Sequence, residues 1–360
     1  MFLQFGTSRF LQAHADLILS EAMPGGQVCV VQSSGSAETA GRVAALAQEG
    51  GFPVRIQGLR DGHTVDEETR VTSVRRALSS ATHWPDVVRE ALDCRFLLSN
   101  VSEAGYRTQP ADRAAGFDNA MSFVAKLCLL LKARFEAGCD PITIMPLELF
   151  PSNGAHLRDG VTRLATARGE SAGFIDSLSR HIWVNSLVDR IVSEPLHPVG
   201  AVAEPYCLWA IETTDGLDLP FTHPAVTVVA DLKPYERLKL YLLNLSHTYM
   251  AHVWLSRHLP ANLTVSAFLA DETLAAPYRT MIAREVLPTF ANAGMARAAE
   301  AYVQTTLERF GNPFLNHRLA DIASGHAAKV ASRLASFLDW ARDTGDASPK
   351  PVLAAIVDAT

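Results

Sequence analysis

The sequence predicts an α/β chain: an N-terminal doubly wound parallel-sheet domain followed by an all-helical C-terminal domain. Three observations carry that prediction. β-like and helical runs alternate through the first half, the runs after about residue 205 are helical by period, and the chain is long enough for two cores. At 360 residues it exceeds one ordinary domain, and with 48% hydrophobic and 19% charged residues it reads as well-filled and globular.

The alternation runs in order. The β-like MFLQF leads through a turn into FLQAHADLILSEAM, which has helical spacing, and QVCVVQ with AETAGRVAALAQEG repeats the pair. FPVRIQGLRDGHTV suits an extended hairpin turning at Asp61-Gly62, a dipeptide that tolerates the positive φ values of a tight turn. Helical WPDVVREALD, β-like CRFLLSNV, helical AMSFVAKLCLLLKARFEAG and β-like PITIMPLE follow. Strands alternating with helices of this length imply a parallel sheet covered on both faces. Beyond Pro205 the segments KPYERLKLYLLNLSHTYMAHVWLSRHL, VSAFLAD, APYRTMIAREVLPTFAN, MARAAEAYVQTTLERFG and NHRLADIASGHAAKVASRLASFLDWARD are separated by Pro, Gly and Asn. DTGDASPK reads as a flexible loop.

Composition narrows the function classes. With 32 Lys and Arg against 38 Asp and Glu the formal charge is −6, and without a long basic run neither nucleic acid nor an anionic membrane is an expected partner. Cys29, Cys94, Cys128, Cys139 and Cys207 are odd in number, scattered and free of a C-x-x-C pair. They read as reduced core thiols of a cytoplasmic protein. No run of about 18 apolar residues and no basic-then-apolar leader is present, so neither a membrane span nor export is expected. His247 and His252 are five apart and H-E-x-x-H is absent, so a zinc hydrolase has no ligand set, and no metal is expected.

The first strand-to-helix junction is QFGTSRFLQAH. In an open α/β sheet a ligand lies beyond the carboxyl ends of the strands, and a glycine there lets the backbone approach a pyrophosphate. Gly6 has that position, although Ser8 stands where the second glycine of G-x-G-x-x-G would be, and a plain turn glycine is the alternative. The second strand ends in Gln32, Ser33 and Ser34 instead of an acidic residue. Gln32 suits a ribose hydroxyl without repelling a 2′-phosphate, so NAD is expected with NADP not excluded; Arg42 suits either that phosphate or a solvated helix face.

KLYLLNLSHTYMAHVWL places Lys239, Asn244 and His247 on one apolar helix. At about 100° per residue Asn244 falls roughly 140° from Lys239 and His247 roughly 80°, so all three are able to face one cavity. Burying an ammonium without a partner is expensive, which would make Lys239 a usable acid or base near neutral pH. The alternative is a snorkelling lysine and a hydrogen-bonded core histidine.

FGTSRFLQAH, RIQGLRDGHTVDE, FLLSNVSEAGY, IMPLELFPSNG, NSLVDRIV, EPYCLWAIE, KPYERLKLYLLNLSHTYMAHV and RFGNPFLNHRLADIA occur in an order that resembles the mannitol dehydrogenase family, the polyol-specific long-chain dehydrogenases, from about Phe5 to Lys329. The resemblance implies a Rossmann-like NAD-binding domain over 1–195, a helical substrate domain over 196–360, and metal-independent hydride transfer between a secondary alcohol and NAD. MPLELFPSNG, NSLVDRIV and NPFLNH favour the branch acting on sugar acids, of tagaturonate/altronate type, over a mannitol/fructose type; an inactive sugar- or nucleotide-binding protein on the same fold is the reading of another class. The chain is shorter than is typical of that branch, and Trp183 and His181 stand where the family signature is looser, which leaves the substrate more open than the chemistry.

The resemblance also implies roles. Lys239 is the general acid/base, Asn244 and Asn153 are amide donors to the developing alkoxide, and His247 positions the substrate, although Asn153 also suits an Asn-Gly turn. Asp189 is expected near the substrate hydroxyls, unless it only pairs with Arg190. Glu236 is expected to tune or relay for Lys239, unless it lies on a solvated face, and Lys329 to meet a uronate carboxylate, unless it is a surface lysine. The cofactor set comprises Gly6, Thr7, Ser8, Arg9, Phe10, Gln32, Asn100, Ser102 and Glu103. A small sugar acid or polyol is the expected partner.

Overall fold

The computed structural model describes residues 1–33 and 40–360. It divides into two compact units, Met1–Ile56 with Asp66–Leu232, and Gln57–Val65 with Lys233–Thr360. The division therefore falls after Leu232, not at 195/196, because short strands continue to residue 229 and keep that stretch in the first unit.

The first unit is built on a six-stranded parallel sheet. Its strands are β1 (Phe2–Phe5), β2 (Val28–Gln32), β5 (Val74–Ser79), β6 (Phe96–Ser99), β7 (Thr143–Pro146) and β8 (Ile182–Trp183), in the order β5-β2-β1-β6-β7-β8. FLQF, VCVVQ and FLLS are buried at every position, as strands covered on both faces must be. Leu3, Phe5, Cys29, Val31, Leu97 and Ile144 pack against Leu127, Leu131, Leu157 and Val161 of the helices Phe123–Glu136 and Asn153–Ala167. Each such buried side chain contributes about 1.5–3 kcal/mol. All five cysteines are free, three of them buried. The chain steps outward from β1 to β2 and β5, then returns to β6 on the other side, so the order reverses at β1 and opens a crevice beyond the carboxyl ends.

The helix expected over FLQAHADLILSEAM is broken. Residues Arg9–Ala13 and Ala15–Ala22 are helical, but His14 lies between them at φ −124 and ψ −89, its Nε2 2.9 Å from the Leu208 carbonyl. A long-range contact overrides the continuous helical period here. Two smaller sheets complete the picture: β10 (Val192–Pro195), β11 (Ala201–Ala203), β3 (Phe52–Arg60) and β4 (His63–Val71), and β13 (Val226–Val229), β12 (Leu208–Glu212) and β9 (Ser186–Asp189). The expected turn is present, with Asp61 at φ 52 and Gly62 at φ 76. The hairpin tip belongs to the second unit, where Asn312 Nδ2 donates to the Gln57 carbonyl (3.0 Å) and Gly62 N to Glu308 (2.7 Å).

The second unit is helical around Leu242, Leu245, Met250, Phe268, Phe290 and Phe337. Three of its helical runs contain a π-helical segment, Lys239–Asn244, Ile282–Val286 and Ala331–Ala335. DTGDASPK is a loop, as expected, but an anchored one: the nearly buried Lys350 and Asp346 pair at 2.6 Å, and Thr289 Oγ1 donates to Asp346 at 2.6 Å. Beyond it the helix Pro351–Asp358 is capped by Glu285, whose carboxylate accepts from Val352 N and Leu353 N.

Candidate active site

In the first unit a cleft of about 360 Å³ opens at the carboxyl ends of β1, β2 and β6, lined by Gly6, Thr7, Gln32, Ser33, Asn100, Ser102 and the start of the helix Phe123–Glu136. Gly6 has φ +121, and a Cβ there would lie 2.6 Å from the Asn100 carbonyl oxygen, so only glycine lets the two loops approach. Ser8, at the position of the second glycine, has two structural bonds instead. Its Oγ accepts from Leu11 N as a helix cap (3.2 Å) and donates to Asn100 Oδ1 (2.9 Å), while Asn100 Nδ2 donates to the Leu147 carbonyl (2.8 Å).

Of the expected cofactor set, Gly6, Thr7, Gln32, Asn100 and Ser102 line this cleft and Ser8, Arg9, Phe10 and Glu103 do not. Arg9 and Glu103 are exposed, and Phe10 stacks on His14. Ser34 lies outside the described residues. Arg42 is exposed, its guanidinium 3.5 Å from the Thr7 carbonyl. Lys126 is a cleft residue that sequence reading missed: nearly fully buried, it donates from Nζ to the Ser33 carbonyl (2.7 Å), and burial lowers its pKa to about 8 against the pull of Asp112 and Asp118. Its signal was the one that exposed Lys239, a lysine inside an apolar helical run. The glycine approach, the Gln32 amide at the end of β2 and this cation fit a dinucleotide.

Asn153 opens the helix Asn153–Ala167 and is fully buried. Its Nδ2 donates to the carbonyls of Glu148 (3.0 Å) and Ser186 (2.9 Å), and its Oδ1 accepts from Gly154 N (3.0 Å) and Ser186 N (2.9 Å). A carboxamide has two N–H groups, and both are engaged. Asn153 thus organises the loops after β7 and before β9, and donation to a substrate oxygen would require one of these bonds to open. The Asn-Gly turn alternative is not what forms: Asn153 and Gly154 open the helix, and it is Ser152 before them that takes the left-handed conformation, at φ 53. Glu148, also missed, is buried, accepts from Val101 N (3.0 Å) and Ser99 Oγ (3.2 Å), and so ties the loop after β6 to the one after β7; burial raises its pKa.

In the second unit the lysine helix is not a plain α-helix. Leu245 N–H reaches back five residues to the Leu240 carbonyl, the π pattern. Five residues splay side chains roughly 140° apart in an α-helix, whereas in a π turn the residue five positions on is the hydrogen-bonded neighbour and stacks close to the first. Lys239 and Asn244 therefore project more nearly together than an α-helical wheel predicts, both half-buried. His247, one turn on, is buried against Phe310 (4.6 Å) and His317 (4.8 Å), and its Nε2 has no hydrogen-bond partner. Burial, followed by the positive influence of His317, Arg333, Arg309 and Lys329, holds its pKa well below the usual histidine value, so the ring is neutral at pH 7.

Asp189 is buried at the end of β9; its neighbour Arg190 spends its guanidinium on the carbonyls of Ala13 and Glu204. Glu236 is half-buried in the helical turn before the π segment. Lys329 is half-buried and donates from Nζ to the Ile322 carbonyl at 2.7 Å. His181 and Trp183 have structural duties, the first accepting from Ile142 N and the second donating to the Leu178 carbonyl. Among the described residues no three His, Cys, Asp or Glu side chains gather as metal ligands would, and no helix is long and apolar enough to cross a membrane.

A parallel sheet with a glycine-lined cleft at its switch point, continued by a helical unit that carries a lysine, an amide and a buried neutral histidine on one helix, defines a two-unit Rossmann-type dehydrogenase architecture. Residues 1–219 match the mannitol dehydrogenase Rossmann domain and residues 231–357 the mannitol dehydrogenase C-terminal domain, and the chain belongs to the mannitol dehydrogenase family. It is 31% identical to the altronate oxidoreductase of Halalkalibacterium halodurans over 96% of this chain and 72% of that protein. With the altronate oxidoreductase of Bacillus subtilis it shares 30% over 95% and 75%. Among solved structures, Pseudomonas fluorescens mannitol 2-dehydrogenase, in a ternary complex with NAD and D-mannitol, has the same fold with a TM-score of 0.72 at 20% identity, over 99% of this chain and 77% of that one.

Proposed function

We propose that this protein is an NAD-dependent, metal-independent oxidoreductase that interconverts a sugar acid and its keto form, of the tagaturonate/altronate type, in the cytoplasm. The observation that carries the reading is the placement of Lys239 and Asn244 at the two ends of one π-helical segment, one turn before the neutral His247, whose Nε2 has no hydrogen-bond partner among the described residues. The two relatives named altronate oxidoreductase support the choice of substrate, and the five free cysteines support the compartment.

A nicotinamide supplied by the cofactor bound in the cleft would accept or deliver the hydride. Lys239 then takes the alcohol proton on oxidation and returns it on ketone reduction. Asn244 donates its amide N–H to the oxygen as negative charge builds there, a contact whose loss typically costs about 3 kcal/mol of barrier. His247, neutral, holds a substrate hydroxyl through Nε2. Asp189 serves other hydroxyls, Glu236 relays or tunes Lys239, and Lys329 faces the substrate's carboxylate. Asn153 acts by fixing the loops around the site.

NADH absorbance turnover with keto-uronates and ketohexoses, repeated with NADPH and with a chelator, tests this. Chelator-resistant reduction of a keto-uronate with NADH in preference to fructose is expected. Efficient reduction of fructose but not of keto-uronates would move the protein to the mannitol type, and chelator-sensitive turnover would remove the metal-independent mechanism.

A further inference from the structure

Arg333 has no assigned task, and its surroundings are unusual. It is half-buried in the π segment Ala331–Ala335, and its Nη1 donates to the carbonyl of Asn244 (3.2 Å) and to Thr248 Oγ1 (3.1 Å), which itself donates to that carbonyl (3.0 Å). One side of the guanidinium is thus fixed against the backbone of the amide residue. The Nε and Nη2 edge, the one that matches a carboxylate in bidentate geometry, takes no acceptor among the described residues. Lys329 lies four residues earlier and, among the described residues, has only the Ile322 carbonyl on its ammonium.

Among the described residues no carboxylate is bonded to Arg333 or Lys329, while the nearby Asp321 is spent on Arg318 at 2.9 Å. Like charges one helical turn apart repel, and burial lowers the pKa of both groups, with Arg333 adding to the effect at Lys329. Arg333 and Lys329 both act on His247 as positive charges. Two cations, Arg333 and Lys329, with no carboxylate bonded to either among the described residues, near a buried histidine whose Nε2 is unbonded, suit an anion.

We infer that Arg333 is the carboxylate anchor of the substrate site: its Nε and Nη2 edge binds the sugar-acid carboxylate side-on, with Lys329 as a second point charge. This rests on the sugar-acid reading above and assigns the carboxylate chiefly to a residue outside the expected set. Because Nη1 also holds the Asn244 carbonyl, the anchor and the amide donor are rigidly linked.

The test is calorimetric titration of a hexonate and of the corresponding uncharged hexitol into enzyme saturated with NADH, where no turnover occurs. Wild type is expected to prefer the hexonate. Arg333→Gln should weaken the hexonate by about ten- to a hundredfold, the scale of a hydrogen bond to a charged group, and leave the hexitol within about twofold. Arg333→Lys, which keeps the charge but not the fork, should lie between and carries the same contrast if the glutamine variant does not fold. Equal weakening of both ligands, an unchanged hexonate affinity, or no wild-type preference for the hexonate overturns the inference. If turnover occurs only with uncharged ketoses while Arg333→Gln still abolishes the hexonate preference, the reaction proposed above fails and the anion anchor stands.

Discussion

Ser8 Oγ donates to Asn100 Oδ1 across 2.9 Å, and this bond joins the loop after β1 to the loop after β6 at the point where the strand order reverses. Ser8→Ala removes both this bond and the helix cap on Leu11 N. Together they contribute about 1–2 kcal/mol, so the variant should melt a few degrees lower and bind NADH several-fold more weakly by fluorescence titration. An unchanged Kd for NADH would separate the link from cofactor binding.

Lys239→Ala should lower kcat by at least roughly a hundredfold, the usual scale for loss of a general acid or base, and leave NADH affinity almost intact, because no residue of the cofactor cleft is touched. Near wild-type turnover on the true substrate would sink the assignment. Asn244→Ala should also lower kcat, through loss of the amide donor.

The cofactor preference depends on the end of β2. Gln32 lines the cleft without a charge to repel a 2′-phosphate, and the Lys126 ammonium lies beside it on the Ser33 carbonyl. NADH should therefore exceed NADPH in kcat/KM by no more than about tenfold, roughly 1.4 kcal/mol, and Lys126→Met should widen that margin by weakening NADPH. A wild-type preference for NADPH would contradict the first statement, and an unaltered margin in the variant the second.

Asp16 should make stability depend on pH. It is buried with neither carboxylate oxygen hydrogen-bonded, and burial, opposed only by the Gln4 side chain, pushes its pKa from 3.8 up to about 7. Between about pH 4 and 7 the unfolded chain releases this proton and the folded chain keeps it, so stability falls as pH rises through that window and levels off above it. Asp16→Asn should raise Tm by several degrees at pH 8 and hardly at all at pH 4. An equal shift at both pH values would show that the carboxyl does not titrate in the fold.

The sequence by itself determined the alternating α/β half, the Asp61-Gly62 turn, the glycine at the first junction, and the presence of a lysine, an amide and a histidine on one apolar helix. These are local facts, since periodicity, turn chemistry and the cost of burying a polar group are legible within a few residues. Tertiary structure decided the rest. Leu245 N–H bonds to the fifth preceding carbonyl, a π register that the apolar period of the segment does not announce. His14 breaks a helix whose period is unbroken, for a carbonyl 194 residues away. Asn153 reads as a free amide until the carbonyls of Glu148 and Ser186 claim both of its N–H groups. Arg333 carries no signal in the sequence, and only the fold sets its Nη1 on the Asn244 carbonyl. His14, Asn153 and Arg333 were visible as residue types in the chain, but each has a partner from a distant segment, and a hydrogen-bonding group's role is set by which of its donors remain free once the chain has folded.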